Sequence, residues 1–379
     1  MSCPFRFAQT GPRGLRYRQQ RGYPSVKLLI QPEDGASPLL AAIKKARKSV
    51  DIVIFRFDRA EIEAALKAAA KRGVSVSALI TYTNHGGEKS LRKLEMRLLD
   101  AGVTVSRTAD DLVRYHDKLL IVDRRVLYVL SFNFTHLDID HSRGFAIVTR
   151  KKKLVQEALK LLDADRDRTR YVAGLNSFVV SPVNARRQLL ALIGRAKKEL
   201  LIYDPKIDDG EMVRALNERA KSGVDVRVIG SVGKKSQLNV RPLRGFRLHT
   251  RTIVCDRREA FVGSQSLRKA ELDARREVGL IVRDKKVVSG LLDTFEADWG
   301  VKASEAAGQA TPREIKKALK ATVVKLSPLD PLVKEAVDDV VLEDGPSLTA
   351  TEVKKTVEKA VKEAVRERVQ EMLNEAVED

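Results

Sequence analysis

Two stretches of the chain place their apolar and polar residues in the same order. One is SPLLAAIKKARKSVDIVIFRFDRAEIEAALKAAAKRGVSVSALI, residues 37–80. The other is ARRQLLALIGRAKKELLIYDPKIDDGEMVRALNERAKSGVDVRVIG, residues 185–230. Each predicts an amphipathic helix, an apolar strand, a short loop, a second amphipathic helix, a glycine and an alternating strand. Leu39, Leu40, Ile43 and Ala46 form the first helix stripe; Leu189, Leu190, Ile193 and Ala196 repeat it. Gly73 and Gly223 stand where a helix ends in a left-handed turn. Strand–helix–strand alternation, twice over, predicts an α/β fold of two similar domains, each a twisted sheet with helices on its faces.

The repeat extends into a second pair of segments. HDKLLIVDRRVLYVLSFNF begins at His116, and HTRTIVCDRREAFVGSQSL begins at His249. Both give histidine, one residue, a basic residue, four residues and an aspartate, followed by a strand that ends in a serine. A lone apolar strand explains neither the polar head nor its recurrence. Residues two apart in a strand share a face, so His116 lies beside Lys118 and His249 beside Arg251. Asp123 and Asp256 have the opposite parity and are expected to point away, holding the strand ends. The continuous apolar runs between suit strands covered on both faces, which makes Cys255 a core thiol.

An imidazole beside a fixed cation suits phosphodiester chemistry. The cation neutralises phosphate oxygens while one imidazole attacks phosphorus and the other protonates the leaving oxygen. Asn133, Ser131 and Ser264 follow the two motifs and are candidates to hydrogen-bond the phosphate. The six-residue HLDIDH, His136–His141, holds two histidines and two aspartates, but a solvated loop is the expected reading and no metal site is assigned.

These motifs resemble the phospholipase D superfamily, whose pattern is H-x-K-x4-D followed by a G-S-x-N-like segment. The resemblance covers residues 25–299. It implies two phospholipase D-like α/β sandwich domains related by a pseudo-twofold, with one site at their interface. It implies a phosphohistidine intermediate on His116, protonation by His249, and no metal or other cofactor. The pattern departs from the family in three places: LSFN stands for G-S-x-N in the first half, GSQS in the second, and Arg251 replaces lysine. Glu277, 28 residues after His249, matches a family acid that orients a motif histidine, and is expected to serve His249. The matching position in the first half is Gly144, which leaves Asp138 or Asp140 as the expected acid for His116. The candidates for catalysis are therefore His116, Lys118, His249, Arg251 and Glu277.

Charge bears on the substrate. The chain carries 71 basic and 51 acidic residues, a net of +20. The segment from residue 301 onward carries 13 basic and 16 acidic residues, so residues 1–300 hold +23. That excess favours an anionic partner, phospholipid or nucleic acid. FVGSQSL with RREVGLIV looks most like the cardiolipin synthase branch, which favours phospholipid with peripheral membrane contact; a nuclease and a non-catalytic anion-binding scaffold are the alternatives. GSVGKKS and NHGGEKS follow repeat strands and are expected to line the cleft, with Lys234, Lys235, Arg241, Arg244 and Arg247 along a substrate's flank.

The expected organisation is a basic arm (1–25), a first domain (26–172), a second domain (173–300) and a helical extension (301–379). In the extension Glu352 completes a capping box and Val353, Val357, Val361 and Val365 recur every fourth residue, a stripe that calls for a partner surface: the other helices of the extension, the body, or a second chain in self-association. Cys3 and Cys255 are the only cysteines, which excludes a disulfide framework and makes a reducing cytoplasm the expected location. The sequence has no run of 18 apolar residues.

Overall fold

The computed structural model describes residues 26–82, 88–233, 236 and 238–300. The basic arm, the helical extension, Lys234, Lys235 and most of NHGGEKS lie outside them. The first half runs β1 (Val26–Gln31), α1 (Ser37–Lys45), β2 (Ser49–Ile54), α2 (Ala60–Lys71), β3 (Ser75–Ile80), α3 (Glu88–Leu99), β4 (Thr104–Arg107), β5 (Arg114–Tyr115), β6 (Leu119–Val122), β7 (Val126–Leu130), α4 (His136–Asp140), β8 (Ser142–Thr149) and α5 (Lys152–Arg166). The second half repeats it: β9 (Phe178–Ser181), α6 (Ala185–Gly194), β10 (Glu199–Ile207), α7 (Gly210–Lys221), β11 (Asp225–Val232), β12 (Asn239–Arg241), β13 (Arg247–Leu248), β14 (Arg251–Cys255), β15 (Glu259–Gly263), α8 (Lys269–Asp273), β16 (Arg275–Val282) and α9 (Lys285–Gly300).

Each half builds one mixed sheet. The first has the order β1-β8-β7-β6-β2-β3-β4, the second β12-β11-β10-β14-β15-β16, with β9 also on β16. The helix–glycine–strand units form the parallel part, β2-β3-β4 and β10-β11-β12. The histidine motifs enter the antiparallel part. Gly73 and Gly223 adopt φ of +82° and +85°, as the helix–strand junctions require. Leu39, Ile43, Leu189 and Ile193 are fully buried beneath their sheets.

The two halves share their central layer. Leu161 and Leu162 from α5, Phe295 and Trp299 from α9, and Phe145, Tyr203, Leu280 and Val262 from the strands form one apolar cluster. Two ion pairs cross it in mirrored positions. Arg143 of β8 pairs with Asp298 of α9 at 2.9 Å, and Arg276 of β16 pairs with Asp165 of α5 at 2.9 Å. Each arginine thus binds the last helix of the opposite half. Tyr203 also donates to Asp298 at 2.7 Å. Asp298→Ala leaves the buried Arg143 cation without this partner. It is expected to destabilise the protein by about 3 kcal/mol, read as a lower urea midpoint.

The most consequential pairing is an exchange of short strands. β5 adds in parallel to β16 of the second sheet, and β13 adds in parallel to β8 of the first. The chain just before each histidine is therefore held by the other half. Among the described residues no helix is long and apolar enough to cross a membrane.

Candidate functional site

The exchanged strands fix both histidines. The His116 N–H donates to Arg276 O at 2.8 Å, and the His249 N–H donates to Arg143 O at 3.2 Å. The cations beside them then fold back on their own motifs. Lys118 Nζ donates to His116 O, and an Arg251 terminal nitrogen donates to His249 O, both at 2.6 Å. Arg251 Nε also donates to Ser266 Oγ at 3.1 Å. His116, Lys118, His249, Arg251 and Glu277 are all buried. The ring of Phe55, at the end of β2, meets His116 edge-on at 4.7 Å. Lys118, Arg114 and Arg56 lie 5.1–5.7 Å from the centre of that ring.

Asp123 and Asp256 stand apart from this cluster. Both sit in tight turns with φ of 54° and 51°. The Asp123 carboxylate accepts the backbone N–H groups of Arg47, Lys48 and Ser49, and that of Asp256 accepts those of Lys197, Lys198 and Glu199. Burial opposes ionisation, but the three donors outweigh it and hold each carboxyl below its usual range. Each aspartate ties the end of a motif strand to the start of the neighbouring one. Cys255 is a buried core thiol, pushed up to about 12 by burial.

The partners of the two histidines differ from those expected. Glu277 does not serve His249: its carboxylate lies 2.9 and 3.0 Å from His116 Nδ1. Glu277 is on β16, the strand that receives β5, so it meets the histidine following β5. Asp138 likewise lies near His249, with Oδ2 at 3.6 Å from Nε2, and not near His116. Asp140 turns the other way, toward Arg59 and His136. The HLDIDH side chains thus split between the buried site and the surface. Position 144 faces Phe132, and a Cβ there would fall 2.9 Å from that ring.

Asn133, Ser131 and Ser264 are buried and bonded to the protein. Asn133 donates to Asp138 at 2.8 Å and accepts the Arg56 N–H at 3.2 Å. Ser131 accepts the Phe145 N–H at 2.9 Å, and Ser264 the Val278 N–H at 3.2 Å. Arg247 is not on a substrate's flank: it is buried and pairs with Asp138 at 2.7 Å. Nor is Arg241, which stacks on Trp299 at 4.3 Å and donates to its carbonyl. A basic run looks the same in sequence whether it faces water or, as Arg247 does, a buried acid; Arg241 stays exposed.

Burial pulls both imidazoles well below their usual range. For His116 the cations Lys118, Arg251 and Arg275 add to the effect. For His249 Asp138 opposes burial, while Arg247, Arg251 and Lys118 reinforce it. Glu277 is pushed up to about 8 by burial, with Glu271 adding and Lys118 opposing. At neutral pH the His116–Glu277 pair thus holds a proton that an exposed pair would share with solvent. Asp138 resists burial because His249, Arg247 and the Asn133 N–H keep it well below the carboxylate range. One histidine bonded to an acid through Nδ1, a second beside an ionised acid, and two inward cations can pass a phosphoryl group to nitrogen and a proton to oxygen.

Comparison with known proteins places this arrangement. A family model described as "Cardiolipin synthase, PLD-like domain" matches residues 39–166 and 189–299. The chain is 32% identical to the mitochondrial cardiolipin hydrolase of Danio rerio over 136 residues, 34% of this chain and 57% of that protein. It is 24% identical to the major cardiolipin synthase of Bacillus subtilis (strain 168), across 72% of this chain and 68% of that protein. The chain spans about half the length of the curated hydrolases it matches. In three dimensions it resembles the polyphosphate kinase of Porphyromonas gingivalis, with a TM-score of 0.61 at 18% identity over 73% of this chain and 50% of the other, a likeness of fold. With both halves matched and the two histidine motifs meeting at one interface, the chain belongs to the phospholipase D-like family.

Proposed function

We infer that the protein is a phosphodiesterase or phosphatidyltransferase acting on a phospholipid through a phosphohistidine. The observation that carries this reading is the His116–Glu277 bond beside two buried cations. A carboxylate that accepts the proton of Nδ1 leaves a lone pair on Nε2, the nitrogen free to attack. In the first step His116 Nε2 bonds to phosphorus, the bond to the leaving oxygen breaks, and His249 gives that oxygen its proton. In the second, water or an alcohol loses its proton to His249 and attacks phosphorus, and the nitrogen–phosphorus bond breaks. Lys118 and Arg251 bear the charge of the phosphoryl oxygens.

Similarity to a cardiolipin hydrolase and a cardiolipin synthase favours a lipid phosphodiester over a nucleic acid. The +23 on residues 1–300 suits contact with an anionic lipid surface, and serves a nuclease equally well. Self-association through the helical extension belongs to residues outside those described. The test runs labelled phosphatidylglycerol vesicles and DNA in parallel. Headgroup release or exchange with intact DNA supports the lipid reading. Nicked DNA with inert lipid replaces it with a nuclease. Tight anion binding without turnover of either replaces it with a scaffold.

A further inference from the structure

The two histidines are served by acids in unlike ways. His116 has Glu277 on Nδ1. At the matching place beside His249 stands Gly144, and Phe132 occupies the space its side chain would need. His249 Nδ1 is consequently buried without a hydrogen-bond partner. Asp138 lies at the other edge of the ring, 3.6 Å from Nε2, and is itself almost fully buried. Its oxygens also accept from Arg247 at 2.7 Å and from the Asn133 N–H and Nδ2 at 2.7 and 2.8 Å. The strongest of the other charges acting on His249 are cations: Arg247 from β13, Arg251 from β14 and Lys118 ahead of β6; His116 and the carboxyl Glu277 bonded to it face it from the other half.

A buried imidazole among such cations gives up its proton readily, yet a leaving-group acid must keep it until the bond to phosphorus breaks. We propose that Asp138 is the positioning residue that favours the protonated form of His249 for that step, in place of an acid on β8. The proposal rests on the reading of His249 as the acid. The distance suits the task. At 3.6 Å the carboxylate is too far for a hydrogen bond, so it does not hold the Nε2 proton away from the leaving oxygen. It is near enough to stabilise the imidazolium through a medium of low dielectric. When the proton moves to the leaving oxygen, Asp138 stays ionised because Arg247 and Asn133 still hold it.

Two variants act on this contact with opposite sign. Asp138→Asn removes the anion, and Arg247→Gln removes a cation that competes with it. Rates are measured against pH on an alkyl phosphodiester and on a nitrophenyl phosphodiester, whose leaving group needs little protonation. Asp138→Asn is expected to move the alkaline limb down by about one pH unit. It should slow the alkyl substrate roughly 10-fold or more while sparing the nitrophenyl one. Arg247→Gln should move the same limb upward. If both variants slow both substrates equally with unmoved limbs, Asp138 is structural and the proposal fails. Acid-labile phosphate trapped on His116 in the wild-type protein shows separately that the underlying reading stands. Its absence would remove that reading and the proposal with it.

Discussion

Glu277→Gln loses phosphoryl transfer and gains thermal stability. The carboxylate is fully buried and pushed up to about 8, against an ordinary value of 4.5. Its ionised form accepts the Nδ1 proton of His116 and so directs the lone pair to Nε2. A glutamine can accept that hydrogen bond but cannot stabilise the positive charge that builds on the ring as nitrogen bonds to phosphorus. The loss in kcat is expected at roughly 10²-fold or more. On a nitrophenyl phosphodiester, whose leaving group does not need the His249 proton, wild-type activity should rise with pH through neutrality toward about 8 as the pair sheds its extra proton, and the variant should lack that limb.

Stability moves the other way. A carboxyl whose folded pKa is raised binds its proton more tightly in the native state, so its contribution is fully present below about 4.5 and is lost as pH rises through about 8. Glutamine titrates nowhere in this range. The variant should therefore match the wild type at low pH and exceed it above pH 8, by of order 2 kcal/mol after allowance for the weaker contact with His116. Thermal melts at the two ends of that range check it. A variant less stable at every pH would show that Glu277 holds the interface more than it strains it.

Removing either histidine stops turnover at a different point. His116→Ala has no atom to take the phosphoryl group, so no acid-labile phosphate should form on any substrate, and the rate should fall roughly 10⁴-fold or more. His249→Ala keeps the attacking nitrogen and its acid. With a nitrophenyl phosphodiester it should still release nitrophenol once and then stall, because nothing takes the proton from the incoming water. Quenched samples of that variant should hold phosphate on His116 at near one equivalent. If labelled phosphate appears on position 249 of the wild type, the two roles are reversed.

Much of this was legible in the sequence. The helix stripes at Leu39–Ala46 and Leu189–Ala196, the glycines at 73 and 223, and the doubled histidine motif gave the two sheets and their common site. Strand parity correctly sent Asp123 and Asp256 away from the histidines. The assignment of acids was not legible, for a physical reason. Arg114–Tyr115 and Arg247–Leu248 are strands of two residues. Two residues carry no periodicity, and the partner of such a strand is chosen by the whole fold. Glu277 follows His249 in the chain and so looked like its partner, whereas the short strands crossed over and gave it to His116. Arg247 gives no sign of its place on the same account, since its burial depends on Asp138 in the other half. Phe55 gave no signal, because an aromatic closing an apolar strand looks like any core residue.

The exchanged strands carry a consequence for symmetry. A single half could complete such a site only by pairing with a copy of itself, and every substitution would then appear on both sides of the cleft. Joining two halves in one chain lifts that constraint. The exchange keeps them mutually dependent, so neither can drift out of the assembly, yet each residue is now free to differ from its twin. Gly144 opposite Glu277, and Lys118 opposite Arg251, are that freedom in use. It allows one histidine to specialise in receiving a phosphoryl group while the other specialises in handling protons, a division of labour closed to an assembly of identical parts.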